Sequence, residues 1–171
     1  LYRFLPDDNR FEPLPGYRDT STIHQDPRGR YWVGTYTQGL HYFDIHEEKV
    51  QAEGKVALPH TVYDIRASGG LILAATAGGV FEIQSASGKL LDSLSTTQNG
   101  VPIKSGVSRI AISSDGRQWF GTFGSGLFYR NPGEKALSPA NALPYGKGLP
   151  ADLNILSLFA DSRDRIWIGT Y

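Results

Sequence analysis

The residues of this 171-residue chain best suited to chemistry are four histidines, a set of glycine-threonine steps and a few neighbouring aspartates. The stretch RYWVGTYTQGL (30–40) places two glycines around a threonine and Tyr36, as a phosphate-cradling loop with a catalytic phenol would. Other segments give that reading no support. GKG (146–148) lacks the full G-x-x-x-x-G-K-[ST] pattern whose backbone N–H groups wrap phosphates. GSG (124–126) lacks the spacing and the following helix of a G-x-S-x-G nucleophile elbow. His24, His41, His46 and His60 form no H-x-x-x-H or H-E-x-x-H pair, so a zinc site would need assembly from separate segments. Cysteine is absent, which excludes disulfides, thiolate metal sites and a cysteine nucleophile. No catalytic residue, metal site or cofactor is expected.

The elements that carry these residues repeat. RYWVGTYTQGLHYF (30–43) returns as RQWFGTFGSGLFYR (117–130), more weakly as GLILAATAGGVFEI (70–83), and the chain ends on RIWIGTY (165–171). Thr35, Thr76, Thr122 and Thr170 are thereby aligned at steps of 41, 46 and 48 residues, and Trp32, Leu73, Trp119 and Trp167 keep the same steps. Each copy follows a marker: Leu14-Pro15, Leu58-Pro59, Val101-Pro102 or Leu149-Pro150. A β-branched or aliphatic run comes next (TSTIHQ, TVYDIR, VSRIAI, ILSLFA), then a polar turn (DPRG, SGG, SDG, DSRD). Asp and Gly tolerate the positive φ of a tight hairpin, so the turn reverses a strand a into a strand b. LHYFDI (40–45), VFEIQS (80–85) and LFYRNP (127–132) supply strand c. A weaker strand d is expected near 49–54, 89–94 and 135–140.

No segment sustains a 3.6-residue apolar period, so almost no helix is expected. Four short strands in about 45 residues, repeated without helices, predict an all-β fold, a β-propeller of about four four-stranded antiparallel blades. Residues 1–171 read as one run of repeats with periods of approximately 1–35, 40–76, 80–122 and 127–171. In this architecture Gly34, Gly121 and Gly169 would let a neighbouring backbone approach strand b. The tryptophans would wedge between blades. Asp26 and Asp161 share a turn register, which assigns them to turn stabilisation rather than calcium; Asp164 replaces a turn glycine.

Seventeen basic and seventeen acidic residues cancel, and no apolar run approaches the roughly 18 residues of a membrane span. Nucleic acid and a direct membrane contact are therefore not expected as partners. The chain opens on Leu1 and holds no methionine, so it is expected to be a piece of a longer polypeptide. LYRF (1–4) reads as the start of a strand c. The repeats are thus either four blades of a larger, seven-bladed ring, the favoured expectation, or a small ring in which LYRF completes the blade begun by RIWIGTY. An open arc would leave apolar faces for other blades or a second protomer to cover.

Laid out in this way, the chain resembles the two-component regulator propeller family, whose repeat joins a Gly-Leu-Pro to a "v-x-s-i-x-x-D-x-x-G-x-i/l-W-i-G-T" segment and a Gly-Gly-Leu. GLPADLNILSLFADSRDRIWIGT (148–170) follows that pattern nearly throughout, and 19–43 and 106–130 match from strand a to strand c. The second copy departs from it at Leu73 and Ala75. The resemblance implies the extracytoplasmic, periplasmic sensing part of a sensor histidine kinase. It implies an oligosaccharide or other polar small molecule as ligand, and a membrane link only through other parts of the parent protein.

In a propeller the b–c and d–a loops share one face, where ligands are usually held. After the repeated threonine stand Tyr36, Ala77, Phe123 and Tyr171, and the three aromatics among them either stack on sugar rings or pack under their own loops. Gln38 and Ser125 could add hydrogen bonds. Among the d–a loop residues, Arg18, His60, Lys104 and Asn154 are the candidates, with Asp19, Ser105 and Asp152 beside them. Protein docking without a small ligand is the competing function. A glycan-cleaving pair of carboxylates, Asp19 and Asp152, is the weakest, because nothing in the sequence brings them together.

Overall fold

The structure, a computed structural model, describes residues 1–171 apart from Pro15 and Gln98, so the proline of the Leu14-Pro15 marker lies outside the described residues. Sixteen strands follow one another among the described residues. A hairpin of β1 (Tyr2–Leu5) and β2 (Arg10–Pro13) comes first. The first full sheet is β3 (Thr20–Gln25), β4 (Tyr31–Thr35), β5 (Leu40–His46) and β6 (Lys49–Val56). The second is β7 (Val62–Ser68), β8 (Leu71–Thr76), β9 (Gly79–Gln84) and β10 (Leu90–Leu94). The third is β11 (Val107–Ile112), β12 (Gln118–Thr122), β13 (Leu127–Arg130) and the two-residue β14 (Ser138–Pro139). A hairpin of β15 (Ile155–Ala160) and β16 (Ile166–Thr170) ends the series. One 3-10 turn, Ala140–Ala142, is the only helical element among the described residues.

Each full sheet keeps its strands in sequence order and pairs them antiparallel. Successive sheets meet along their first strands, β3 on β7, β7 on β11 and β11 on β15, which makes that row the axis side of a propeller arc. β1 pairs with β2 and β16 with β15; the LYRF and IWIGT segments share no sheet. Every first strand carries a bulge at the same place, at Ser21, Tyr63, Ser108 and Leu156, each opposite no single partner on the next strand. A bulge adds one residue and turns the local strand. Here two of the extra residues tie sheet to sheet: Ser21 Oγ donates to the Val62 carbonyl and Ser108 Oγ to the Ile155 carbonyl.

The core lies between sheets. Trp32 packs with Leu40, Val56, Val62, Ile65 and Phe81, and Trp119 with Leu127, Ile155 and Leu158, so each tryptophan wedges against the following sheet. Leu73 takes the tryptophan's place in the second sheet and is fully buried beside Ala75, Val80 and Val107. The glycines of the W-x-G-T motif make room for a side chain rather than for a backbone. A Cβ on Gly34 would come within 2.7 Å of Val62 Cγ1, and one on Gly121 within 2.6 Å of Ile155 Cγ2. The residue just before the bulge of β7, Val62, and that before the bulge of β15, Ile155, are the β-branched side chains that lie against these glycines.

The turns are built as the aspartates suggest. Asp26 Oδ1 accepts the N–H groups of Arg28 and Arg30, and Asp161 Oδ1 those of Arg163 and Arg165. Their second oxygens accept the indole N–H groups of Trp32 and Trp167 at 3.0 and 2.9 Å; in the third copy Ser113 Oγ takes that of Trp119. One residue therefore closes the turn and orients the wedge. Asp164 holds φ +58° where Gly29 and Gly116 hold +89° and +81°, and its carboxylate takes the backbone and hydroxyl of Ser114.

Candidate functional site

The repeated Gly-Thr step is a loop staple. Thr35 Oγ1 donates to the Gly39 carbonyl at 2.8 Å and accepts the Gln38 N–H at 2.8 Å. Thr122 makes the same pair of bonds to Gly126 and Ser125, and Thr76 to Gly79 and Gly78. All three threonines are fully buried. Gly39 has φ +79° with no room for a Cβ, 2.7 Å from the Val56 carbonyl oxygen, so the loop after each threonine is fixed in shape.

These b–c loops are knitted to the d–a loops on either side. Tyr36 N–H donates to the Asp19 carbonyl of its own sheet, and its carbonyl accepts Thr61 Oγ1 of the next, both at 2.9 Å. Phe123 N–H donates to the Gly106 carbonyl, while Gly124 and Gly126 N–H donate to the Leu153 carbonyl. Tyr171 N–H reaches the Asn154 carbonyl. The two loop sets thus form one continuous rim, as propeller geometry requires.

The predicted residues take different places on it. Tyr36 has its backbone bonded on both sides while its ring is 56 % exposed. Gln38 is half-buried with its N–H held by the staple. Phe123 is half-buried, its ring set edge-on to Tyr63 at 4.9 Å and 79°. His60 is exposed and lies over Gly78, 6.4 Å from the Phe81 ring. Arg18 and Asn154 are exposed, and Asn154 bridges to Phe123. Lys104 and Ser125 share a groove of about 620 Å³ with Leu137, Pro139 and Leu149, outboard of the rim; Ser105 Oγ donates to Ser125 Oγ at 2.7 Å. Phe123 and Asn154 are brought together, as are Lys104 and Ser125. Tyr36 and Phe123 stand on the first and third sheets, with Ala77 on the sheet between.

Two residues that sequence reasoning passed over sit beside Phe123. Tyr63 is the bulge residue of β7, and Arg109 lies on β11 with Nη1 donating to the carbonyls of Ser108 (2.6 Å) and Tyr63 (3.4 Å). The signal was present in the register: the bulge position holds serine, tyrosine, serine and leucine, and divergence within a repeat marks positions released from packing. Nearby, Asp64 is buried, its oxygens taking Ile65 N–H and Ile110 N–H, and it pairs with Arg66 Nη1 at 3.0 Å. His24 Nε2 accepts the Ala67 N–H, and burial, reinforced by the Arg66 charge, lowers its pKa below the usual histidine value.

Comparison with known proteins agrees with this geometry. The chain superposes on the extracellular domain of BT4673 from B. thetaiotaomicron, assigned to a one component system, with a TM-score of 0.75, 17% identity, 99% of this chain and 23% of that one covered. The extracellular domain of BT3049 from the same organism, assigned to a hybrid two component system, gives 0.69 at 24% identity, covering 89% and 20%. Virginiamycin B lyase from Staphylococcus aureus gives 0.67 at 15%, covering 96% and 54%. The chain spans about a quarter of the length of the first of these. No curated protein sequence matches it. Residues 14–37 and 148–171 match the family model described as two component regulator propeller. Two of its repeats, residues 14–37 and 148–171, are thus of the two component regulator propeller type, and the fold that carries them is a β-propeller arc like those of the extracellular domains compared.

Proposed function

We propose that this chain is the ligand-sensing propeller region of a bacterial extracytoplasmic sensor, located in the periplasm, which holds an oligosaccharide or similar polar small molecule on its loop rim. The reading rests on one observation. Tyr36 presents an exposed ring on a backbone bonded to two different d–a loops, so the ring's attachment point on the rim is fixed. An aromatic face on a fixed backbone binds sugar C–H faces with only its own rotamers left to order. The family repeat and the likeness to extracellular sensor domains support the same reading. The role is binding: a ligand would signal by its differential affinity for two arrangements of the parent sensor.

The test is calorimetric titration with a panel of neutral and acidic oligosaccharides. Tyr36→Ala and Phe123→Ala should weaken binding about tenfold with the melting temperature of Tyr36→Ala unchanged. Turnover of a panel member would replace the sensor reading with an enzymatic one. A docking reading is favoured by a different observation, the exposure of Phe159 and Trp167 on the outer face of β15–β16. Silence across the panel, with self-association or capture of a protein partner through that face, would establish it.

A further inference from the structure

The row of first strands that lines the axis side carries an unequal charge. Across 20–25, 62–68, 107–112 and 155–160 the one carboxylate is Asp64, while Arg66 and Arg109 are both present, in a chain whose net charge is zero. Asp64 is buried, hydrogen-bonded to two backbone N–H groups and paired with Arg66. Arg109 has no carboxylate partner among the described residues, and only its Nη1 is used, by two carbonyls. The rest of its guanidinium fork is free to donate.

The two arginines are anchored along one strand edge. Arg109 holds the Tyr63 carbonyl and Arg66 the Ile65 carbonyl, two residues apart, or roughly 7 Å of strand. Neither carbonyl is left without a side-chain donor. The Tyr63 whose carbonyl Arg109 holds carries the ring of the edge-to-face pair with Phe123. A planar fork with donors to spare, bonded to the backbone of one member of an aromatic pair in a row whose one carboxylate is already paired, is a site for an oxyanion carried on a carbon ring.

We infer that Arg109, anchored at Tyr63 beside the Tyr63–Phe123 ring pair, binds the carboxylate or sulfate of an acidic small molecule whose ring packs on that pair. The inference deepens the sensing role and rests on it, because it places the acidic end of the ligand inside the rim. Arg109 supplies the bidentate hydrogen bonds. Arg66, neutralised by Asp64, adds no net charge and is not a second binding fork, so Arg109 is the uncompensated charge of the row. His24 contributes no charge while it stays neutral.

The experiment is calorimetry at low salt with glucuronate, glucose 6-sulfate and glucose on the wild-type protein and on Arg109→Gln and Arg109→Lys. Both anions should bind more tightly than glucose and weaken as salt rises. Arg109→Gln should lose about tenfold or more, a change of about 1.4 kcal/mol, and Arg109→Lys should fall between, since it keeps the charge and loses the fork. A preference for glucuronate would assign a planar carboxylate, and equal binding an oxyanion of either kind. The inference is overturned if the anions bind no better than glucose. It is also overturned if Arg109→Gln lowers the melting temperature and leaves anion affinity intact, which would make Arg109 a tie between strands. If neutral oligosaccharides bind through Tyr36 and the anions do not, the sensing role stands and this site falls. Silence of all probes, neutral panel included, removes both.

Discussion

At the scale of the residue, one side chain in three contexts separates motif from environment. Trp32 and Trp119 are 0 % and 6 % exposed, whereas Trp167, with the same turn bond to its indole, is 57 % exposed. The difference is the sheet packed against it. Trp32→Ala should therefore cost about 3–5 kcal/mol, as truncations of buried aromatics do, and Trp167→Ala under about 1 kcal/mol by the same reasoning, both read by urea denaturation of this chain. Asp161 gives a second test. Hydrogen bonds from the Trp167 indole, then from the Arg163 and Arg165 N–H groups, hold its carboxyl well below the usual carboxylate range. A lowered folded-state pKa contributes stability that is present above the unfolded value of about 4 and is lost as pH falls through the folded one. The melting temperature of Asp161→Asn should thus lie below wild type at neutral pH. The gap should close progressively below about pH 4. A gap that persists in acid would assign the effect to packing.

At the scale of the element, the b–c loops owe their shape to a threonine and a glycine whose roles differ. Thr122 closes the loop, and Gly121 clears space for Ile155 of the next sheet. Gly121→Ala should destabilise by about 1–3 kcal/mol through overpacking. Adding Ile155→Ala should recover part of that loss, because the two side chains compete for one volume; additive costs would refute the clash. The second sheet carries a methyl group at this position: Ala75 is fully buried in the cluster that holds Val107.

At the scale of the whole molecule, polar networks join what the hydrophobic wedges pack. Arg130 of the third sheet is buried against Glu82 of the second, with Gln118 accepting from Arg130 and donating to Ser68. Breaking a buried pair strands a charge away from water. Arg130→Met should cost about 3 kcal/mol and Arg10→Met, whose Asp8 pair is exposed, well under about 1 kcal/mol. Equal effects in chemical denaturation would mean that the junction is hydrated in solution. Arg109, the proposed anion-binding residue, lies outside this network, so site and scaffold can be altered separately.

The sequence by itself determined the strands, their turns and their order. Trp-x-Gly-Thr, the Asp/Gly turns and the alternation of apolar residues act over a few neighbours, and a local interaction is written where it operates. It also located the loops that share the rim, since the four-strand repeat fixes which ends face which way. It missed the strand bulges and read the motif glycines as clearance for backbone, because both depend on the sheet that follows in space. Tyr63, Arg109 and Phe123 come from segments 14 to 60 residues apart and meet only when strands β7 and β11 lie side by side. Only the tertiary structure decided that one arginine of the axis row is neutralised and the other left with a free fork, because charge pairing is settled by distance in space.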